Sequence, residues 1–235
     1  MILSSCDDNS TETSSTGSLN GQTRLFDEKG NQIYDASGIT VSLKENPVSA
    51  TTTTSGAWHL KDVPMGTYTI LFSKPGFDTA KIFGFQFNGY GDVRVDEGAE
   101  LLKPAPGRIE QIMLSTRKAA GDTGELLIIK CTPSQDVILV EGSVRYVLKL
   151  SRSENSLWSE NEDNSLYEVS QYAKQNLYEN STSLDFLKQK FGSGSRLYVT
   201  ARVMHRHYGV RYDNFYKRYY VGLGQPSETI TFIIP

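Results

Sequence analysis

The chain has 235 residues, 38% hydrophobic and 11% aromatic, with a formal net charge of −3 and an isoelectric point near 5.7. That is enough apolar material for two compact domains, and it excludes disorder of the whole chain. A mildly acidic balance without a long basic run argues against nucleic acid as a partner, and the scarcity of helical periodicity predicts an all-β protein.

In chain order, the first signal is Leu3-Ser4-Ser5-Cys6. It resembles the lipobox of bacterial lipoproteins, which implies that Cys6 is the lipid attachment site and the anchor to a membrane. Only Met1 to Leu3 stand where such a leader carries its charged and apolar regions, so a longer segment is expected before Met1. The alternative is an ordinary N-terminus with a chance cysteine. Asp7-Asp8 resembles the acidic export signal of Bacteroidetes surface lipoproteins. This implies the cell-surface side of the outer membrane, with the periplasmic face as the alternative. Asp7 to Gly17 (DDNSTETSSTG) has no large apolar side chain to offset the entropy of ordering it and reads as a tether. Fully extended it spans roughly 35 Å, at about 3.3 Å per residue. Residues 1–17 are thus expected to be anchor and tether.

Residues 18–116 are expected to form a first β-sandwich. Leu19 to Phe26 reads as a strand, followed by a turn at Asp27-Glu28-Lys29-Gly30-Asn31 with glycine where a positive φ is needed. Ile39, Val41 and Leu43 alternate as a strand, and Thr51 to Thr54 reads as a polar one. The stretch Gly56 to Phe77 is the clearest. Trp58 and Leu60 alternate with polar residues, Val63-Pro64-Met65-Gly66 turns a corner, Tyr68, Ile70 and Phe72 line the return strand, and Lys74-Pro75-Gly76-Phe77 closes it. Phe83, Phe85 and Phe87 are expected on one face of a further strand, with Ile112 and Leu114 ending the unit.

Leu19-x-Gly21, the turn at Gly30, Ile39-x-Val41-x-Leu43, the threonines, Gly56-x-Trp58-x-Leu60, Val63-Pro64-x-Gly66-Thr67-Tyr68 and Lys74-x-Gly76-Phe77 together resemble the carboxypeptidase regulatory-like family. The resemblance covers about half the chain and implies a transthyretin-like (prealbumin-like) sandwich that serves as a structural or binding module. Two enzyme readings fail on residues. No His-x-x-Glu or His-Glu-x-x-His is present to hold a catalytic zinc. The C-terminal Tyr-Arg-Gly-Ser of the transthyretin-related hydroxyisourate hydrolases is absent, and His59 is the first half's sole histidine. Asp78-Thr79-Ala80 resembles a three-residue O-glycosylation motif of Bacteroidetes secreted proteins.

Arg117 to Gly124 (RKAAGDTG) reads as a linker, and residues 125–235 as a second sandwich. Leu126 to Ile129, Val137 to Val140 and Val144 to Leu150 are expected strands, with Cys131 a buried structural thiol. Ser151 to Asn164 reads as a long loop, and Leu166, Val169, Tyr172 and Leu177 show loose helical spacing. Ser183, Leu184, Leu187, Phe191 and Gly192 predict a short capped helix. Leu197, Val199, Ala201 and Val203 alternate as a strand, and Thr229 to Ile234 is the last one. Gly194-Ser195-x-Leu197-x-Val199-x-Ala201 and Pro226-Ser227-Glu228-Thr229-Ile230-Thr231 resemble the fibronectin type III or immunoglobulin-like sandwich. The overall expectation is two tandem β-sandwiches, prealbumin-like and then immunoglobulin or fibronectin III-like, with at most short helices in the second.

The most informative stretch for function is His205 to Tyr220 (HRHYGVRYDNFYKRYY). Tyrosine rings offer flat apolar faces with a polar tip, and arginine adds stacking and forked hydrogen bonds. Sugars suit that mixture. Tyr208, Arg211, Tyr212, Asp213, Asn214, Tyr216 and Arg218 are the candidate ligand-binding residues. The structural alternative is a ribbon whose alternate rings simply pack on the core. His205 and His207 are two apart, as in some metal sites, but two ligands without a third make surface histidines the better reading. No catalytic residue, metal or cofactor is expected. Partners are the membrane through Cys6 and an extracellular glycan or surface protein, with a subunit of a surface assembly as the alternative role.

Overall fold

The computed structural model describes residues 15–96, 98–122, 124–137, 143–154, 165–173, 178–205, 210–212, 218–220 and 222–235. The protein is all-β, and its strands pack as sandwiches about two apolar cores. The first sandwich uses β1 (Thr16–Phe26), β2 (Gln32–Ile33), β3 (Thr40–Leu43), β4 (Asn46–Thr51), β5 (Ala57–Pro64), β6 (Gly66–Ser73), β7 (Ala80–Phe87), β8 (Asp92–Arg94) and β9 (Ala99–Leu102). In one sheet β1 pairs antiparallel with β2 and β5 and parallel with β8 and β9. The facing sheet has the order β4-β3-β6-β7.

The period-2 pattern explains the core. Trp58 and Leu60 on β5 and Tyr68, Ile70 and Phe72 on β6 point inward and are buried, while Val63 is buried out of that alternation, after a register shift against β1 at Asp62, whose φ is 56°. Residues Val63 to Gly66 carry the chain from one sheet to the other, so β5 and β6 are not hydrogen-bonded neighbours. The Tyr68 hydroxyl donates to Pro64 O at 2.9 Å and ties the corner. Trp58 meets Phe72 edge-on, with centroids 5.6 Å apart. A Cβ on Gly21 would lie 2.7 Å from the Trp58 ring, so only glycine leaves room for it. The Asp27 turn forms as expected: Asp27 N donates to Asn31 O, and Gly30 has φ of 81°.

The second sandwich follows. It comprises β10 (Ile109–Lys118), β11 (Glu125–Pro133), β12 (Ser143–Ser151), β13 (Ser165–Ala173), β14 (Tyr178–Ser183), α1 (Leu184–Phe191), β15 (Arg196–Val203), β16 (Val210–Tyr212), β17 (Arg218–Tyr220) and β18 (Ile230–Ile233). One sheet is β10-β11-β14, the other β13-β12-β15-β18, and β16-β17 forms a separate two-stranded ribbon. The helix connects the two sheets. The Ser183 side chain accepts from Phe186 N, and Gly192, with φ of 88°, ends the helix by donating to Lys188 O. Leu184, Leu187 and Phe191 are buried in the same core as Leu127, Ile129 and Val199. Each such fully buried side chain contributes about 1.5–3 kcal/mol.

Several expectations are corrected. Ile112 and Leu114 belong to the second core, not the first. Arg117–Gly124 does not link two units; it turns β10 into β11, with Lys118 opposite Glu125. The small polar residues expected of a linker are equally those of a hairpin loop. The two cores instead part between Leu101 and Ala105. Residues 165–173 form a strand paired with β12 along its whole length, because a β-ladder partner outweighs weak helical spacing. Of the polar strand expected at Thr51 to Thr54, just Thr51 is in β4. Thr52 turns inward, where its hydroxyl donates to Ala36 O and accepts from Ile39 N. The three phenylalanines do not share a face. Gly84, with φ of 63°, sits in a bulge that places Phe85 opposite Tyr68 and Ile82 opposite Ile70. One extra residue flips the alternation, so Phe83 packs with Phe26 and Leu102 while Phe85 and Phe87 face the first core. Val137 is buried against the second core; residues 138–140, Leu177 and 155–164 of the expected loop lie outside the described residues.

Cys131 is fully buried. Burial pushes its thiol up to about 12, partly offset by a hydrogen bond with Tyr146. Alkylation of Cys131 by iodoacetamide at mildly alkaline pH, read from the mass of its peptide, should be about a thousandfold slower in the native chain than in denaturant, since the thiolate is the reacting form. Equal rates in both would show that the β11 core is open.

Candidate functional site

The ribbon β16-β17 is the candidate site, and the described residues at its two roots show how it is held. On the incoming side, β15 ends at Val203, and Met204 N donates to Arg145 O at 2.8 Å. His205 follows and is completely buried. Its Nε2 lies 2.6 Å from Asp27 O, in the turn after β1. A carbonyl oxygen can accept only, so Nε2 is a protonated ring nitrogen. The expectation of a surface histidine is therefore wrong for His205. It stands in line with Leu197, Val199, Ala201 and Val203, two residues beyond the last, and that continued alternation was the signal of burial. His207 lies outside the described residues.

The Asp27 turn is stiffened from within. Burial pushes the Asp27 carboxyl up, but N–H groups of Asn31 and Lys29, the Asn31 side chain and the Lys29 charge outweigh it and hold the pKa below the usual range. The donors sit 2.9 Å (Lys29 N), 2.7 Å (Asn31 N) and 3.1 Å (Asn31 Nδ2) from the carboxylate oxygens.

On the outgoing side, Gly222 N donates to the Asp78 carboxylate, and Gly222 O accepts from Ala105 N at 2.9 Å. Burial raises the Asp78 pKa, opposed by the N–H groups of Gly222 and Leu223 and by the charges of Arg202 and His205. Arg202 is pushed down by burial and up by Asp78. Gly222 has φ of 66°, and a Cβ there would lie 2.8 Å from His205 Cβ and 3.0 Å from Leu102 Cβ. Asp78 N donates to Leu102 O, and Lys103 N to Phe26 O, each at 3.0 Å. Sequence reasoning missed Asp78 in this role, because Asp78-Thr79-Ala80 read as a modification motif while its partner Gly222 lies 144 residues away.

Within the ribbon, Arg211 stands opposite Tyr219, Tyr212 opposite Arg218, and Val210 opposite Tyr220. Three of the candidate residues, Arg211, Tyr212 and Arg218, thus fall on one short hairpin. Tyr208, Asp213, Asn214, Tyr216 and the lipid-attachment candidate Cys6 lie outside the described residues.

Two other places bear on chemistry. Ser18 Oγ and Asn20 Nδ2 donate to Asp92 Oδ1 at 2.8 and 2.7 Å, and His59 Nε2 is 3.7 Å from the same oxygen. The Asp92 carboxyl is held below its ordinary range by Ser18 and Asn20. The Ser18 hydroxyl thus donates to the carboxylate, and the imidazole faces that same oxygen. A cleft of about 520 Å³ lies among Met65, Thr67, Gln86, Phe87, Asn88 and Val93; none of these can serve as an acid or base near neutral pH. Among the described residues no group of three or more His, Cys, Asp or Glu could hold a metal, and no helix is long and apolar enough to cross a membrane.

No protein-family model matches the chain, and no curated protein matches it. Solved structures share partial likeness. A type II cohesin–X-dockerin complex from Acetivibrio cellulolyticus aligns at TM-score 0.30 and 20% identity, over 36% of this chain and 56% of that one. This chain therefore spans little more than half of that relative's length. A provisionally assigned carbohydrate-binding protein from Bacteroides uniformis aligns at TM-score 0.31 and 12% identity, over 92% of this chain and 98% of that one. A DUF3823 family protein from Bacteroides ovatus aligns at TM-score 0.30 and 10% identity, over 94% of this chain and all of the other. Scores this low carry no functional weight.

Proposed function

We propose that this protein is a non-catalytic lipoprotein of the outer-membrane surface, anchored through Cys6, that captures an extracellular glycan on its Tyr- and Arg-rich ribbon. In this reading the first sandwich is of the carboxypeptidase regulatory-like kind and the second immunoglobulin or fibronectin III-like. The observation that supports binding most strongly is the ribbon register, in which two of the three rungs pair a tyrosine with an arginine. A ring stacks on a sugar's C–H face while a guanidinium beside it donates in a fixed fork to hydroxyls. Such pairs on a short hairpin held at both roots fit a preorganised binding surface, which limits the ordering entropy that binding must overcome.

The test is the affinity of the soluble chain for a glycan that it retains. Tyr212→Ala and Arg218→Ala should each weaken binding about tenfold, equivalent to about 1.4 kcal/mol, with the melting temperature unchanged. Unaltered affinity in both variants would refute the ribbon as the binding surface.

The second reading is a structural or accessory subunit of a surface assembly. It is favoured by the exposed apolar side chain of Ile233 on β18, at the edge of its sheet. An open edge of this kind is suited to pairing with another chain. It predicts a cross-linked partner on intact cells that is lost in Ile233→Lys.

A further inference from the structure

We infer that Asp78 and His205 are positioning residues: they lock the two sandwiches into one body at the roots of the β16-β17 ribbon. The inference goes beyond the binding role and does not depend on what the ribbon binds.

Domains joined in one chain move relative to one another unless a packed, satisfied interface prevents it. Here both roots of a single hairpin are fastened to the first sandwich, by different elements. His205 reaches the carbonyl of Asp27, in a turn stiffened by its own carboxylate. Gly222 gives its N–H to Asp78, which follows the Lys74–Phe77 turn, and its carbonyl to Ala105 in the connection between the cores. Beneath them Phe26, Leu102 and Phe83 form a small apolar cluster of their own, which separation of the sandwiches would expose. Glu28 and Lys103 make an ion pair at 3.6 Å beside it.

Two features point to orientation rather than to general packing. The roots are polar groups taken out of water with their partners supplied by the other sandwich, and such contacts accept a narrow range of geometry. Gly222 also presses its bare Cα between His205 and Leu102, leaving no space for even a methyl group. Two fasteners and one close backbone approach, spread over Asp27, Asp78 and Leu102, define a plane and not a hinge.

The experiment uses the full chain carrying Cys6→Ser, with spin labels at Lys61→Cys on β5 and Gln189→Cys on α1, both exposed positions; buried Cys131 stays unlabelled. Double electron–electron resonance should give one narrow distance distribution. Asp78→Leu with His205→Leu should broaden it at least about twofold, as two freed bodies would. Asp78→Asn keeps an acceptor oxygen for the Gly222 N–H and should stay narrow. Gly222→Ala removes no polar group and should broaden the distribution like the leucine pair. A broad distribution in the parent, or a narrow one in both the leucine pair and Gly222→Ala, would overturn the inference. If the leucine pair fails to fold, Gly222→Ala decides alone.

Discussion

Gly56→Ala is expected to lower the melting temperature of the first sandwich by roughly 12 °C or more, from about 3 kcal/mol of lost stability at 4–8 °C per kcal/mol. Gly56 is buried, has φ of 81°, and a Cβ there would lie 2.1 Å from the backbone oxygen of Thr23. That oxygen cannot swing aside. Thr23 N donates to Gly56 O at 2.9 Å, and Gly56 N to Thr53 O at 2.8 Å, so relieving the collision breaks the contact that starts β5 beside β1. The left-handed backbone alone costs an alanine about 1–2 kcal/mol, and the collision adds to it. Gly76 is the control. It has the same φ of 81° but nothing within 4 Å of its Cβ position, so Gly76→Ala should cost just that backbone term, about 1–2 kcal/mol. Calorimetry of the two variants separates backbone strain from steric conflict. Equal shifts in both would mean that the close approach of Gly56 to Thr23 is not present in solution.

Cys6→Ser is expected to move the protein completely from the membrane fraction to the soluble fraction of cells expressing it from its own gene. One acyl chain binds a bilayer only marginally, whereas two or three anchor it stably, at about 0.8 kcal/mol per buried CH₂. In the proposed anchoring, loss of Cys6 removes all of that energy at once, and among the described residues no helix is long and apolar enough to cross the bilayer. Membrane fractions probed for the protein check this, with carbonate washing to strip loose material. A serine variant that still pellets after the wash would show that something other than Cys6 holds it there.

Much of the fold was legible because strand alternation is a strong, local signal. Trp58 and Leu60, Tyr68 to Phe72, and Leu197 to Val203 are buried where their spacing said, and α1 begins and ends on the residues that cap it. What was not legible depended on pairing between distant segments. The composition of Arg117 to Gly124 suits a linker and a hairpin equally; only the pairing of β10 with β11 decides. The bulge at Gly84 changes which phenylalanine faces inward, and one glycine in a strand does not announce a flip. At the candidate site the sequence showed the tyrosines and arginines of the ribbon but not its mounting. Asp27, Asp78, His205 and Gly222 come from four separate places in the chain, and their types are those of ordinary turns and surface loops.

The most direct measurement is a screen of the soluble chain from Ser18 to Pro235 against host and dietary polysaccharides, beside the same chain with residues 206–219 replaced by a short Gly-Ser turn. Binding is predicted for at least one glycan with the intact chain, saturable and lost with the ribbon, while both proteins melt alike. Binding that survives removal of the ribbon, or a blank panel with both proteins folded, would contradict glycan capture at this site.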